Sequence, residues 1–349
     1  MNMYNLKQEK VSDFIVHLQK YGEVIAPHPI GDASYSFSTV TNPNTVELDY
    51  NRTIQSIKKY FFPPREKLLS YSTVSNQYEK VELKAEPRIF LGVHSYDMQA
   101  VLKLDFNFSQ GNPELNYLKR RENTTFIGVS YSSDKYHFGR SVGIPVEELN
   151  GFDLFLRKNK SGFTIIVVTE KGEKLLKKFS LPEESENTPE NSIEFSTQIK
   201  INYNRLPELF EHAWDSPVWE SVSKKCVGCG TCNLVCPTCY CFNVEDDVDL
   251  SLKNGTRDRH WDGCMLNSFA AVAGGENFRE SLGERQRHRI YRKFKYISDI
   301  TGEPWCVGCG RCIVACTAGI SIVDIVNQLK EEYEQTHLTK STHQHEWAG

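Results

Sequence analysis

The first 225 residues of this 349-residue chain contain no cysteine; all eleven lie between Cys226 and Cys316. Chemistry that needs thiolates is therefore confined to the C-terminal part. Long apolar runs are also missing. Stretches such as Ile165-Ile-Val-Val168 are far too short to span a bilayer, so no membrane insertion is expected. The start, Met1-Asn-Met-Tyr-Asn-Leu-Lys7, lacks the charged head and apolar core of an export signal, which points to the cytoplasm. A dominant charge is absent too: 41 Lys and Arg stand against 45 Asp and Glu, for a net charge of −4. That balance gives no general attraction to nucleic acid. No nucleophile–base pair, phosphate loop or dinucleotide fingerprint is legible. Nothing in these residues suggests a chain that turns over a substrate alone.

What is present is a repeat. Cys226-Val-Gly-Cys229-Gly-Thr-Cys232-Asn-Leu-Val-Cys236 and Cys306-Val-Gly-Cys309-Gly-Arg-Cys312-Ile-Val-Ala-Cys316 have identical spacing. Both read C-x2-C-x2-C-x3-C, the run that holds [4Fe–4S] clusters in two-cluster ferredoxins. Three thiolates three residues apart come from one loop wrapping the cluster. The loop needs glycine where the backbone turns to positive φ, a role for Gly228, Gly230, Gly308 and Gly310. In two-cluster ferredoxins the fourth cysteine ligates the other cluster. This assigns Cys226, Cys229, Cys232 and Cys316 to cluster 1, and Cys306, Cys309, Cys312 and Cys236 to cluster 2. Pro237 follows the first run as the pattern expects, whereas Thr317 replaces the second proline. Structural zinc favours separated C-x2-C pairs rather than triplets. Disulfides need an oxidising compartment.

The composition is that of a globular protein with about two domains. Val11, Phe14, Ile15 and Leu18 predict an amphipathic helix. Strands are expected at Tyr35–Val40, Arg88–Val93, Thr124–Tyr131, Phe152–Arg157 and Phe163–Thr169, the last two joined by a turn at 158–162. Helices are expected at Tyr96–Leu104 and Glu170–Phe179. The fold class is α+β: a mixed α/β domain over 1–180, then a two-cluster ferredoxin-like domain over 198–330. The acidic, Pro- and Ser-bearing stretch 181–197 reads as a linker. The long gap between the cysteine runs reads as an insertion, 242–300, folded beside the clusters. Residues 331–349 form a polar tail, in which His337, His343 and His345 carry no metal signal. Asp215-Ser-Pro217 reads as the start of a helix leading into the first cysteine loop.

Three cysteines remain, Cys239, Cys241 and Cys264. A third iron–sulfur cluster, completed by a residue such as Asp246, His260 or Asp262, is one reading. Buried free thiols and a zinc site with His260 are the others. Arg279, Arg285, Arg287, Arg289, Arg292, Lys293 and Lys295 place seven cations in seventeen residues. A solvated helix face is the ordinary explanation. Proximity to anionic clusters or an acidic partner is the functional one, with Arg285, Arg289 and Arg292 sharing a face.

The chain resembles the iron–sulfur β subunit of sulfhydrogenases and the corresponding iron–sulfur subunit of anaerobic sulfite reductases. Phe61-Phe-Pro-Pro-Arg-Glu66, Gly92-Val-His-Ser-Tyr-Asp97, Gly151-Phe-Asp-Leu154, Trp214-Asp-Ser-Pro-Val-Trp219, Cys236-Pro-Thr-Cys-Tyr-Cys-Phe242, Trp261-Asp-Gly-Cys264 and both cysteine runs carry the resemblance. It implies an electron-transfer component of a multisubunit oxidoreductase in anaerobic metabolism. Its neighbours would be a flavoprotein subunit that binds FAD and NAD(P)H, and a catalytic redox subunit of hydrogenase, sulfite reductase or heterodisulfide reductase type. Relatives often carry cysteines near Ser95 and Ser130–Gly139, where this chain has none, so residues 1–180 read as a docking scaffold. The competing reading is a single-subunit iron–sulfur reductase whose N-terminal domain binds substrate or flavin.

Overall fold

The computed structural model of the chain describes residues 2–183 and 194–345, with side chains as far as Thr336. Most of the 181–197 stretch, and the side chains of the three tail histidines, lie outside the described residues. The chain forms two compact units of three segments each: Met1–Ser133, Pro145–Glu194 and Tyr240–Trp261 in the first, Asp134–Ile144, Phe195–Cys239 and Asp262–Gly349 in the second.

Among the described residues the first unit holds every strand: β1 (Met3–Lys7), β2 (Glu23–Pro29), β3 (Tyr35–Thr39), β4 (Arg65–Ser72), β5 (Gln77–Lys80), β6 (Arg88–Val93), β7 (Thr124–Val129), β8 (Leu154–Lys158), β9 (Gly162–Val167), β10 (Phe242–Val248) and β11 (Asn254–Trp261). Its helices are α1 (Val11–Leu18), α2 (Ser95–Ser109), α3 (Leu115–Glu122) and α4 (Glu170–Leu176). Seven strands form one mixed sheet in the order β1-β9-β8-β7-β6-β2-β3, with β2, β6, β7 and β8 parallel. All six residues of β7 are buried, as expected of a parallel strand covered on both faces. Phe61, Phe90, Phe126 and Tyr117 are almost fully buried and pack ring against ring. Helix α1 buries Val11, Phe14, Ile15 and Leu18, the positions its spacing predicts.

The remaining strands form an antiparallel sheet, β10-β11-β4-β5. The β10–β11 hairpin comes from the segment between the two cysteine runs, and it joins this unit because β11 pairs with β4 from His260↔Arg65 to Asn254↔Ser72. Buried charges fix it. Glu66 on β4 accepts from Arg120 of α3 at 2.6 Å and pairs with Arg259 of β11, which also reaches Glu114 at 3.3 Å. The Trp261 indole donates to the Phe62 carbonyl at 3.0 Å. The expected insertion is thus divided: residues through Trp261 belong to the first unit, and those from Asp262 to the second.

The second unit is helical: α5 (Leu206–Glu211), α6 (Val218–Lys225), α7 (Thr231–Leu234), α8 (Leu282–Tyr291), α9 (Ser298–Thr301), α10 (Arg311–Val314) and α11 (Ile322–His345). Helix α6 begins after Pro217, with the Ser216 hydroxyl accepting from the Val218 amide at 3.1 Å, and it runs straight into Cys226. A capping box between Ser281 and Glu284 starts α8, and a π-helical turn, Arg292–Tyr296, follows it. No described helix is long and apolar enough to cross a membrane.

Candidate metal-cluster centre

The two cysteine runs fold alike. Gly228 and Gly308 have φ of +67° and +64°, and Gly230 and Gly310 have +74° and +73°. Gly230 and Gly310 then cap the one-turn helices α7 and α10, which carry Cys232 and Cys312. Repeated spacing has produced repeated backbone, as a loop wrapping a cluster requires.

One cavity is lined by Cys306, Cys309 and Cys312 of the second run together with Cys236 of the first. Arg289 and Lys293 also line it, and they are only 4% and 3% exposed. The Lys293 ammonium donates to the Thr238 hydroxyl at 2.6 Å, and the Trp305 indole donates to the Thr238 carbonyl at 2.9 Å. Cys226 receives the side-chain amide of Gln286 at 3.5 Å, and Cys316 receives the backbone amide of Ile320 at 3.3 Å. Close approach of α6 and α8 permits the first contact: a Cβ on Gly283 would lie 2.6 Å from the Trp219 carbonyl oxygen.

The electrostatics are those of buried thiols facing buried cations. Desolvation pushes Cys232 up to about 12, against the pull of Arg289. It pushes Cys306 further in the same direction. Burial works against the charges of Arg289 and Lys293, yet both are held above their ordinary values by the surrounding cysteines. At the surface the Thr231 hydroxyl, 3.4 Å away, holds Cys229 below its usual value.

The basic stretch is therefore not a solvated face. Nor is Arg285, Arg289, Arg292 its inner row. Arg285 bonds the Arg279 and Glu280 carbonyls and Asn267. Arg287 stacks on Trp214 at 3.9 Å. Lys295 pairs with Glu211 and Asp299. The cysteine-facing row is Gln286, Arg289 and Lys293. Lys293 follows Arg289 by four residues, about one helical turn, so the two side chains share a face.

Of the three remaining cysteines, Cys239 and Cys264 both lie beside buried Asn233, whose amide nitrogen is 3.6 and 3.5 Å from their sulfurs. Cys241 belongs to the first unit, just ahead of β10. Asn233, Thr238 and Gln286 had no sequence signal of their own, although Thr238 lies in the run that carries the family resemblance.

The donor set fits a thiolate-held four-iron cluster. None of the eleven cysteines is tied up in a disulfide. The buried Arg289 Nε has no hydrogen-bond partner among the described residues, leaving a cationic N–H for a cluster or cysteine sulfur. Among the described residues no group of His, Cys, Asp and Glu is gathered tightly enough for a single metal ion. A four-iron core spreads its ligands more widely than one ion does.

Fold and donor set define an α+β iron–sulfur protein of the ferredoxin-like dicluster class. The family model described as "4Fe-4S dicluster domain" matches residues 225–320. The chain is 32% identical over 341 residues to sulfhydrogenase 2 subunit beta of Pyrococcus furiosus, covering 95% of this chain and 99% of that one. It belongs to the family of sulfhydrogenase beta subunits, iron–sulfur electron-transfer subunits of oxidoreductases. No solved structure matched the chain.

Proposed function

We propose that this chain relays electrons within a cytoplasmic oxidoreductase complex. Two [4Fe–4S] clusters would lie between a flavoprotein subunit, bearing FAD and served by NAD(P)H, and a catalytic redox subunit. The single observation that carries this reading is the cavity in which Cys236 joins Cys306, Cys309 and Cys312 beside two buried cations. It favours the crossed ligand sets, with Cys226, Cys229, Cys232 and Cys316 as the other. The protein's own part is to supply the thiolates, offset their charge through Arg289 and Lys293, and keep water from the inner set. The clusters, when bound, supply one-electron chemistry.

The competing reading, a reductase with flavin in the N-terminal unit, finds less support. An open trough of about 780 Å³ lies on the four-stranded sheet. Its described lining includes Ser70, Tyr71, Tyr78, Asp247 and Asp249 but no Lys, Arg or His, and the smaller cavity that holds Arg65 and His260 sets them among four carboxylates, Glu245, Asp246, Asp247 and Asp258, a poor setting for a flavin phosphate. Iron and sulfide analysis of anaerobically prepared protein tests the proposal. About 8 iron atoms per chain are expected from two four-cysteine runs, and about 12 if Cys239, Cys241 and Cys264 serve a third cluster. An iron-free protein would refute it.

A further inference from the structure

The two cysteine runs share a spacing but not a setting. Val227 is 67% exposed, whereas Val307, at the same place in the second run, is 2% exposed. Cys229 is exposed and Cys309 buried. The cause is a cap. The Phe138 amide donates to the Gly308 carbonyl at 2.9 Å, and a Cβ on Gly308 would lie 2.5 Å from Gly139. This capping segment, residues 134–144, is tied down from both ends: Thr197 donates to the Lys135 carbonyl at 2.6 Å, and the Ile199 amide to Ser141 at 3.1 Å. Over the Val227 apex no described segment takes that position. Lys224 and Lys225 stand exposed just before Cys226. Lys224 pairs with Glu220 at 2.8 Å, but with both side chains more than two-thirds exposed, a screened pair of little strength.

Resting on the reading that both runs hold clusters, we propose that the Val227–Cys229 apex is the docking and electron-exchange surface for a redox protein with an acidic face, and that the capped cluster exchanges electrons through the open one. An exposed apolar centre beside a charged rim is the anatomy of a transient interface, and the lysine charges steer encounter with an acidic partner. Electron transfer falls off steeply with distance, so the cluster whose ligand loop reaches solvent is the one a partner can approach. In each step the donor loses one electron and a cluster gains it. No bond forms or breaks, and no proton need move.

The test uses the full chain with its clusters loaded, and reduced flavodoxin, an acidic one-electron flavoprotein, as the probe. Val227→Glu and the pair Lys224→Glu/Lys225→Glu are compared with a control at the C-terminal end of helix α4 in the other unit, Lys174→Glu/Lys177→Glu. Both the Val227 variant and the lysine-pair variant should be reduced roughly tenfold more slowly at low ionic strength. The difference should shrink as added salt shortens the screening length, with iron content and the paramagnetic spectrum of dithionite-reduced protein unchanged. The control should match the parent. Parent-like rates in both of these variants, or equal slowing in the control, would overturn the proposal. Protein without iron would instead refute the cluster reading on which it rests.

Discussion

Arg289 and Lys293 are two cations on one helix row, each almost wholly removed from water. Burying such groups costs several kcal/mol apiece unless an anion faces them, and here the facing groups are cysteines. A cluster becomes more negative on reduction, so a fixed positive charge beside it favours the reduced form. Arg289→Gln or Lys293→Met should lower the potential of the adjacent cluster by at least the 59 mV that corresponds to a tenfold change in the ratio of reduced to oxidised. A redox titration followed by paramagnetic resonance checks this. Arg287→Gln, which removes a cation stacked on Trp214, should leave the potentials in place. The cationic stretch was legible in the sequence, but its inner face was not. Helical spacing puts Arg289 and Lys293 on one face, but which face packs against the cysteines is set by tertiary contacts that periodicity does not carry.

At the scale of elements, Gly228 and Gly308 look interchangeable, and their surroundings make them different. An L residue at either must adopt a left-handed conformation, at about 1–2 kcal/mol. A methyl on Gly228 would meet only a flexible Leu282 carbon at 2.9 Å, whereas on Gly308 it would meet Gly139 backbone at 2.5 Å. Gly308→Ala should therefore lose iron and the second cluster's signal, while Gly228→Ala retains iron close to the parent level. The buried Glu66 makes a second case. Glu66→Ala leaves Arg120 and Arg259 without the carboxylate they share and should cost about 3–5 kcal/mol, seen as a lower denaturant midpoint. Strands β3, β6, β7 and β9 were legible because β-branched and aromatic residues mark them, and β8 because the apolar run Leu154-Phe-Leu156 stands just before the turn at 158–162. Strand β2 was hidden by Pro27, since proline is unusual inside a sheet. Strands β5 and β10 were hidden because their exposed, polar sequences, such as Gln77-Tyr-Glu-Lys80, bury no face that would impose a period of two.

For the whole molecule, the two four-cysteine runs and the backbone they repeat were readable from spacing alone, because the glycines and cysteines that shape each loop lie within eleven consecutive residues. The partition of the chain was not. Pairing of β11 with β4 joins residues far apart in sequence, and no change in composition marks it. Crossing of the ligand sets is the whole-molecule property most open to measurement. Cys316→Ser should perturb the cluster held by Cys226, Cys229 and Cys232. Cys236→Ser should perturb the one held by Cys306, Cys309 and Cys312. Each substitution disturbing only its own run would contradict the crossed arrangement.

The alternation of segments has a consequence for inheritance. Three segments of one unit alternate with three of the other, so the chain passes between them five times. One passage, between Glu194 and Phe195, falls within the compositional linker. No single break in the gene yields two intact modules: any one cut strands part of at least one unit. A lineage could therefore not acquire the electron-carrying part by simple fusion of a ferredoxin gene, nor discard the other part by truncation. The units are bound to be inherited, varied and lost together, and an engineer who wants the clusters alone must first replace the 240–261 hairpin with a short turn and supply a cap in place of residues 134–144.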